Sequence, residues 1–183
     1  MFQFFLSSAA EYLTDRILPV ILGTALVLVL RWLLIHLGRL RRRSTAHEVG
    51  IAALTLYTAI VLSLTFLPVN PGFGGFEFSS VLLQILRGEY TAGAWVYTML
   101  LGNVLLFLPL GFLLPLLWSW FRWFRVLAVG LTCSLCIEFL QPFAGRSFDI
   151  DDVVLNFLGI AAGLLLSAVP RALFPGAVSA LRH

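Results

Sequence analysis

Five long apolar runs constrain this chain more than any other feature of its sequence. Each run has about the 17–25 residues that a helix needs to cross the hydrocarbon core of a bilayer. Because hydrocarbon offers no partner for backbone N–H and C=O groups, such runs fold as helices. The sequence therefore predicts an all-α, polytopic membrane bundle of about five transmembrane helices. The five runs are Ile17–Leu37, Val49–Val69, Ala94–Trp118, Val126–Ala144 and Val153–Val169.

Composition excludes a soluble globular domain. Hydrophobic residues make up 60% of the 183 residues and charged residues 11%, whereas soluble domains average about 45–50% and about 25%. Two of the five runs are less regular, because Arg31 interrupts the first and the fifth is short. An arginine near a helix end can extend to the headgroups. Four spans plus an interfacial helix is therefore the alternative to five spans.

The distribution of arginine predicts the orientation in the membrane. With five spans, one side of the membrane receives most of the arginines, and the other side receives Arg16, Arg87 and Arg146. By the positive-inside rule the arginine-rich side is cytoplasmic, which places the N-terminus outside and the C-terminus inside. The arginines of the cytoplasmic side are Arg39, Arg41, Arg42, Arg43, Arg122, Arg125, Arg171 and Arg182.

The basic run at residues 39–43 is interpreted as a determinant of topology beside the first span, although such a run can also bind RNA or anionic lipid. No nucleic-acid partner is expected. Met1–Ala10 lacks the basic region of a signal peptide, so the first span is expected to remain in the membrane. Cys133 and Cys136 lie within the fourth span, where burial disfavours a thiolate, and no cofactor is predicted.

Polar side chains gather near the outer ends of the third, fourth and fifth spans. Glu138 lies inside the fourth span, where an ionisable group is costly and indicates a functional site by default. Gln141 follows three residues later on nearly the same helical face, and Ser134 extends that face inward. Asn103 lies within the third span, in which Pro109 is expected to produce a kink.

A tight loop containing Arg146 leads into the fifth span. Asp152 is expected to cap that helix, where a carboxylate meets free N–H groups, and Asn156 lies one turn deeper. Gly159, Gly163 and Ser167 continue as a ridge of small residues that permits close helix packing. If this ridge lies on the fourth helix, Asn156 comes near the level of Glu138.

These residues resemble those of the VanZ-like family over residues 51–167. The match includes the end of the second span at Leu67, Pro68, Val69 and Asn70. It continues with Gly102, Asn103, Phe107, Pro109, Leu110, Gly111 and Phe112, and then with Glu138, Gln141, Arg146, Asp149, Asp152, Asn156 and Gly159. The resemblance implies a multi-pass protein of the bacterial plasma membrane, in a family associated with resistance to teicoplanin-type lipoglycopeptides. The segments expected are an N-terminal segment with the first span at 1–48, a VanZ-like membrane domain at 49–169 and a cytoplasmic tail at 170–183.

The favoured function is binding of a lipid headgroup, a lipid-linked glycan or a lipoglycopeptide in an outward-facing polar pocket. Arg146 would hold an anionic group and Asp149 would orient it. The loop Asn70–Gly93 would cover the pocket, with Ser79 or Ser80 capping a short interfacial helix that stops at Gly88. The predicted ligand-binding residues are Asn103, Glu138, Gln141, Arg146, Asp149, Asp152 and Asn156.

Two alternatives use the same residues differently. In a membrane enzyme acting on a lipid-linked substrate, Glu138 would be the general base, and Asp149, Asp151 and Asp152 would hold a divalent cation. In a proton-coupled transport component, Glu138 would be the protonatable group. Catalysis is the less favoured reading, because the sequence places no histidine, thiol or hydroxyl nucleophile beside the acidic residues.

Overall fold

The structure is a computed structural model that describes residues 13–67, 69, 72–77, 80–89 and 93–182. The expectations for Met1–Ala10, Pro68, Asn70 and Ser79 lie outside the described residues. The chain divides into two compact units. The first contains residues 1–69 together with His183, and the second is Asn70–Arg182.

Helices account for nearly all regular structure in the described residues. The first unit contains a π-helical turn at Leu13–Ile17, then α1 at Leu18–His36 and α2 at Thr45–Phe66. The second unit contains β1 at Phe76–Glu77, α3 at Val81–Leu86, α4 at Ala94–Leu117, α5 at Trp123–Leu140, a 3₁₀ turn at Gln141–Ala144, β2 at Phe148–Asp149, α6 at Ile150–Leu166, α7 at Ala168–Leu173 and α8 at Pro175–Arg182.

Five helices of the described chain are long and apolar enough to cross a membrane. They correspond to α1, α2, α4, α5 with its 3₁₀ turn, and α6 with α7. The prediction of an all-α, polytopic membrane protein with about five helices long enough to span is therefore confirmed.

The first unit is a helical hairpin with an ion pair between its two helices. Arg31 of α1 donates from Nε and Nη2 to the two carboxylate oxygens of Glu48 on α2, at 2.8 and 2.7 Å. Arg31 thus pairs with a neighbouring helix instead of extending alone toward the headgroups. The helix α2 begins before the apolar run does, because Ser44 caps it by accepting a hydrogen bond from His47 N at 3.2 Å.

In the second unit, α4 and α6 approach each other through glycines. A Cβ atom added to Gly159 or Gly163 of α6 would overlap the carbonyl oxygen of Val104 or Leu108 on α4. The ridge of small residues therefore packs on α4, so the condition that it lies on the fourth span, α5, is not met. Sequence spacing identifies which face of a helix is smooth, but it does not identify the helix that lies against that face.

The helix α5 also packs against α6, in the region where α6 contacts α4. A Cβ atom added to Gly130 of α5 would lie 2.6 Å from Cδ1 of Ile160, whose side chain is fully buried. The helix α4 continues through Pro109 and Pro115 without ending at either. Three helices thus share one core, and the connection between α5 and α6 is held at one end of it.

A short parallel ladder connects the segment before α3 to that α5–α6 connection. Phe76 pairs with Phe148 in register, and Phe148 N donates to Gly75 O at 2.9 Å. Gly74 N donates to Pro142 O, also at 2.9 Å. The backbone carbonyl of Arg146 lies so close to Gly74 that a Cβ atom would overlap it, which requires glycine at this position.

Candidate functional site

The seven residues predicted to bind a ligand lie at the end of the second unit where α5 ends and α6 begins. We call them the polar cluster. Hydrogen bonds and electrostatic interactions connect residues of α4, α5, α6 and the α5–α6 connection within it. The members are Asn103, Glu138, Gln141, Arg146, Asp149, Asp152 and Asn156.

Glu138 is the most deeply enclosed carboxyl group of the polar cluster. Its side chain lies in the last turns of α5 and is only 2% exposed. Gln141 Nε2 donates to Oε1 at 3.4 Å and Asp149 N donates to Oε2 at 3.5 Å, both near the outer limit for a hydrogen bond. The charges of Asp152, Asp149 and Arg146 also act on this carboxyl group. Both of its oxygens therefore retain capacity to accept a stronger hydrogen bond.

Asp149, and not Asp152, caps the helix α6. Asp149 has extended backbone angles, φ −128° and ψ 123°, and its side chain accepts a hydrogen bond from Asp151 N at 2.8 Å. The prediction for Asp152 is wrong because the chain enters the helix at Ile150, so the capping position falls before that residue. Asp152 instead accepts a hydrogen bond from Asn103 Nδ2 and so joins α6 to α4.

Asp151 connects α6 to the short helix α3. Its side chain is buried, with 4% exposed, and it accepts hydrogen bonds from Ser80 Oγ and from Leu82 N, the latter at 2.9 Å. Ser80 also caps α3 by accepting from Leu83 N at 2.9 Å. The predicted cap at Ser80 is confirmed, and Gly88 follows the helix with φ +72°, as its predicted role as a stop requires.

The connecting role of Asp151 was not predicted from the sequence. One available signal was that three aspartates precede or begin a single helix, and only one of them can occupy the capping position. The three carboxylates have different partners in the structure. Asp149 accepts a hydrogen bond from Asp151 N, Asp151 accepts one from Ser80 at the start of α3, and Asp152 accepts one from Asn103 of α4. Within the described residues, no group of three His, Cys, Asp or Glu side chains is arranged to hold a metal ion.

Below Glu138, the polar cluster continues into the helix interface. Asn156 of α6 donates from Nδ2 to Ser134 Oγ of α5 at 3.1 Å, and both side chains are buried. In the part of the chain that the structure describes, Asn156 Oδ1 has no hydrogen-bond partner. A buried acceptor without a partner costs about 1–3 kcal/mol, so this oxygen is a position where a donor would be favourable.

An exposed aromatic surface surrounds the connection that carries Arg146. The side chain of Arg146 is exposed, and its backbone lies against Gly74. The rings of Phe73 and Phe143 are 5.6 Å apart, and those of Phe76 and Phe148 are 5.8 Å apart. We call this group the phenylalanine surface, and its members are Phe73, Phe76, Phe139, Phe143 and Phe148. The sequence did not reveal it, because its members come from two segments that the ladder brings together.

Comparisons with known proteins place the chain in a family. No curated protein and no solved structure matches it at a significant level. The sequence model of the family described as VanZ/LLP1 matches residues 54–171, which is more than half of the chain and includes the whole polar cluster. The chain therefore belongs to the VanZ/LLP1 family.

Proposed function

We propose that this protein binds an anionic, lipid-linked ligand of the bacterial cell envelope at the polar cluster. The observation that carries the proposal is the position of Arg146, which is exposed between a buried group of carboxyl and amide side chains and an exposed aromatic surface. A lipid headgroup, a lipid-linked glycan and a lipoglycopeptide share the required chemistry, because each joins polar groups to an acyl or prenyl chain.

Arg146 holds the anionic group of the ligand in this proposal. A guanidinium group can donate two parallel hydrogen bonds to a phosphate or a carboxylate, and such charge-assisted pairs are among the stronger polar contacts. The phenylalanine surface is the complementary apolar part. Phe139 is 56% exposed at the end of α5, and Phe143 is 64% exposed on the same connection as Arg146. Aromatic side chains are favoured at the membrane interface, where a lipid chain begins.

The buried part of the polar cluster supplies acceptors for neutral donors of the ligand. Glu138 accepts only two long hydrogen bonds, and Asn156 Oδ1 accepts none among the described residues. Sugar hydroxyls or amide N–H groups would satisfy these oxygens. In the predicted orientation the cluster faces outward, so a ligand of the outer leaflet reaches it without crossing the membrane.

The resemblance to the VanZ-like family suggests one specific candidate ligand. A teicoplanin-type lipoglycopeptide carries sugars and an acyl chain, and the VanZ-like resemblance associates the family with resistance to it. We propose that the chain contributes to such resistance through the polar cluster. Expression in a teicoplanin-sensitive host should then reduce susceptibility, and Arg146→Ala should remove that effect while the protein is still present in the membrane.

Mass spectrometry of lipids and envelope precursors that co-purify with the protein tests the proposal directly. Wild type should retain an anionic lipid-linked species that Arg146→Ala loses. Arg87→Ala is the matched control, because Arg87 is also exposed and lies on the same predicted side of the membrane but outside the polar cluster. The same co-purifying species in wild type and Arg146→Ala would contradict the proposal.

The alternatives give different results with Glu138→Gln, which keeps the shape of the side chain and removes its charge. An enzyme would retain its bound lipid and lose turnover of it. A proton-coupled transport component would lose a pH-dependent flux across proteoliposomes. A binding protein shows neither turnover nor flux in wild type or variant, so either activity would replace the binding proposal.

A further inference from the structure

A second polar recess lies in the first unit, at the end of the α1–α2 hairpin. It has a volume of about 420 Å³, and its lining includes Arg31, Trp32 and His36 of α1, Arg42 of the connection, and Glu48 of α2. All of these residues precede residue 54, where the match to the family begins. We call this recess the basic pocket.

The floor of the basic pocket is held in place by the ion pair between Arg31 and Glu48. The guanidinium of Arg31 contacts both carboxylate oxygens of Glu48, and the two side chains are 20% and 23% exposed. Arg43 N also donates to Glu48 Oε1, at 3.3 Å, which fixes the connection against α2. The ion pair therefore fixes these two side chains within the pocket, and the opposite charges of Arg31 and Glu48 cancel.

The rim of the basic pocket remains positive. Residues 31–48 contain five arginines and a single glutamate, for a net charge of +4 with histidine neutral. Arg42 lines the pocket with an exposed side chain that has no ion-pair partner among the described residues. Arg39 and Arg41 are exposed on the same connection as Arg42. Because the floor is neutral, this rim determines the sign of the ligand, which is negative.

The wall of the pocket is aromatic and is suited to a membrane interface. The ring centroids of Trp32 and His36 are 4.4 Å apart, and Trp32 is 56% exposed. Tryptophan is enriched at the level of the headgroups, because its ring is apolar and its N–H group is polar. A pocket at the level of the headgroups favours a lipid as its ligand over a soluble anion.

An apolar groove lies on the same hairpin as the basic pocket. It lies between α1 and α2, has a volume of about 610 Å³, and includes Pro19, Gly23 and Val27 in its lining. Arg31 and Ile35 of the basic pocket continue this series at intervals of four, so each residue neighbours the next on the helix surface, in a row that winds around α1. The hairpin thus carries an apolar groove and a positively charged pocket that one row of neighbouring α1 residues links.

We propose that the α1–α2 hairpin binds an anionic glycerophospholipid, with its phosphate at Arg42 in the basic pocket and an acyl chain along the groove that passes Gly23. In the predicted orientation this lipid belongs to the cytoplasmic leaflet, where basic pockets beside transmembrane helices attract anionic headgroups. The site is separate from the polar cluster, and it does not depend on the proposed function.

Native mass spectrometry of the full-length protein in micelles that contain phosphatidylglycerol and phosphatidylcholine in equal amounts tests this inference. Wild type should retain phosphatidylglycerol in preference. Arg42→Ala should reduce that preference about tenfold, as expected for the loss of a charge-assisted hydrogen bond. Arg122→Ala is the matched control, because Arg122 is exposed at the start of another span and should leave the preference unchanged.

A second variant tests the groove. In Gly23→Trp the added Cβ atom meets nothing within 4 Å, and the bulky ring should fill the groove and reduce retention of both lipids. The inference is overturned if Arg42→Ala retains phosphatidylglycerol as wild type does. It is also overturned if Arg42→Ala and Arg122→Ala lose it equally, which indicates diffuse attraction only, or if single-stranded RNA displaces the lipid in an Arg42-dependent manner.

Discussion

The two ends of the α4–α5–α6 unit treat their polar side chains differently. At the end that carries α7 and α8, arginines donate to backbone carbonyl oxygens at normal distances: Arg125 to Trp120 O at 2.9 Å, Arg171 to Ser167 O at 2.9 Å and Arg182 to Pro115 O at 2.8 Å. At the opposite end, the hydrogen bonds that Glu138 accepts from the described residues are 3.4 and 3.5 Å long. Asn156 Oδ1 accepts no hydrogen bond from the described residues.

This difference separates stabilisation from binding. Cations near the end of a helix satisfy carbonyl groups that the helix leaves free, and they stabilise the fold by doing so. The polar cluster instead keeps acceptors that the fold does not satisfy, although burial makes each such group costly. The two ends should therefore respond to substitution in opposite ways, one in stability and the other in ligand retention.

The largest effect is expected at Arg146. Arg146→Ala should weaken retention of the envelope ligand by about 10–100-fold, since each charge-assisted hydrogen bond contributes about 1.5–3 kcal/mol. Stability should change little, because the side chain is exposed. Ligand titration by native mass spectrometry and unfolding by SDS titration measure the two quantities. A loss of stability without a loss of ligand would remove the contrast between the two ends.

The second prediction concerns the packing that holds both ends in place. Gly159→Ala should destabilise the protein by about 1–3 kcal/mol, because the new methyl group overlaps the Val104 carbonyl oxygen and forces α4 and α6 apart. Gly102→Ala is the control in α4, where an added Cβ atom meets nothing within 4 Å. That control should be neutral or stabilising, since alanine favours a helix. Equal SDS midpoints for the two variants would argue against close α4–α6 packing.

The third prediction concerns the connection between α3 and the polar cluster. Ser80→Ala removes both the cap of α3 and a hydrogen bond to Asp151, and it should destabilise α3 locally by about 1 kcal/mol. Hydrogen exchange at the amides of Leu82 and Leu83 should then become faster. Ser44→Ala removes a comparable cap from α2 and should leave α3 unaffected. Unchanged exchange in Ser80→Ala would mean that other contacts hold α3.

The smallest effect is expected at Arg171. Arg171→Ala should cost about 0.5–1 kcal/mol, because it removes a cation and a carbonyl partner from the end of α6. Ligand retention should equal that of wild type. SDS titration and lipid analysis of the same preparation measure both quantities. Loss of the envelope ligand in this variant would show that the two ends are not independent.

The sequence was sufficient to predict the helices, because apolar length alone identifies a span. Their ends were less accurate where polar residues belong to the helix. The run beginning at Val49 omits the first turn of α2, which contains Glu48, since a charge there looks like the end of a span. The pairing of Glu48 with Arg31 explains why the helix tolerates it, and only the structure shows that the two lie side by side.

The polar cluster was predictable as a set but not in its detailed contacts. Spacing placed Glu138 and Gln141 on one face of a helix, and the structure agrees. The cap was assigned to Asp152 instead of Asp149, because capping depends on the backbone angles at the entry to the helix. The phenylalanine surface depends on the pairing of β1 with β2, and strands of two residues leave no periodic pattern in a sequence.

The first turn of α6 has a consequence for how this family can vary in length. Asp149 caps its own helix, Asp151 accepts hydrogen bonds from α3, and Asp152 accepts one from α4. Three neighbouring side chains therefore contact three different parts of the fold. One inserted residue would rotate all that follows by about 100° and misdirect two of the three contacts at once. Insertions and deletions should therefore be rejected between residues 149 and 152 and tolerated better in the loop at residues 118–122, where contacts such as Arg125 to Trp120 O and Trp120 with Phe121 are local in sequence. We therefore expect relatives to differ in this turn of helix by substitution and not by length.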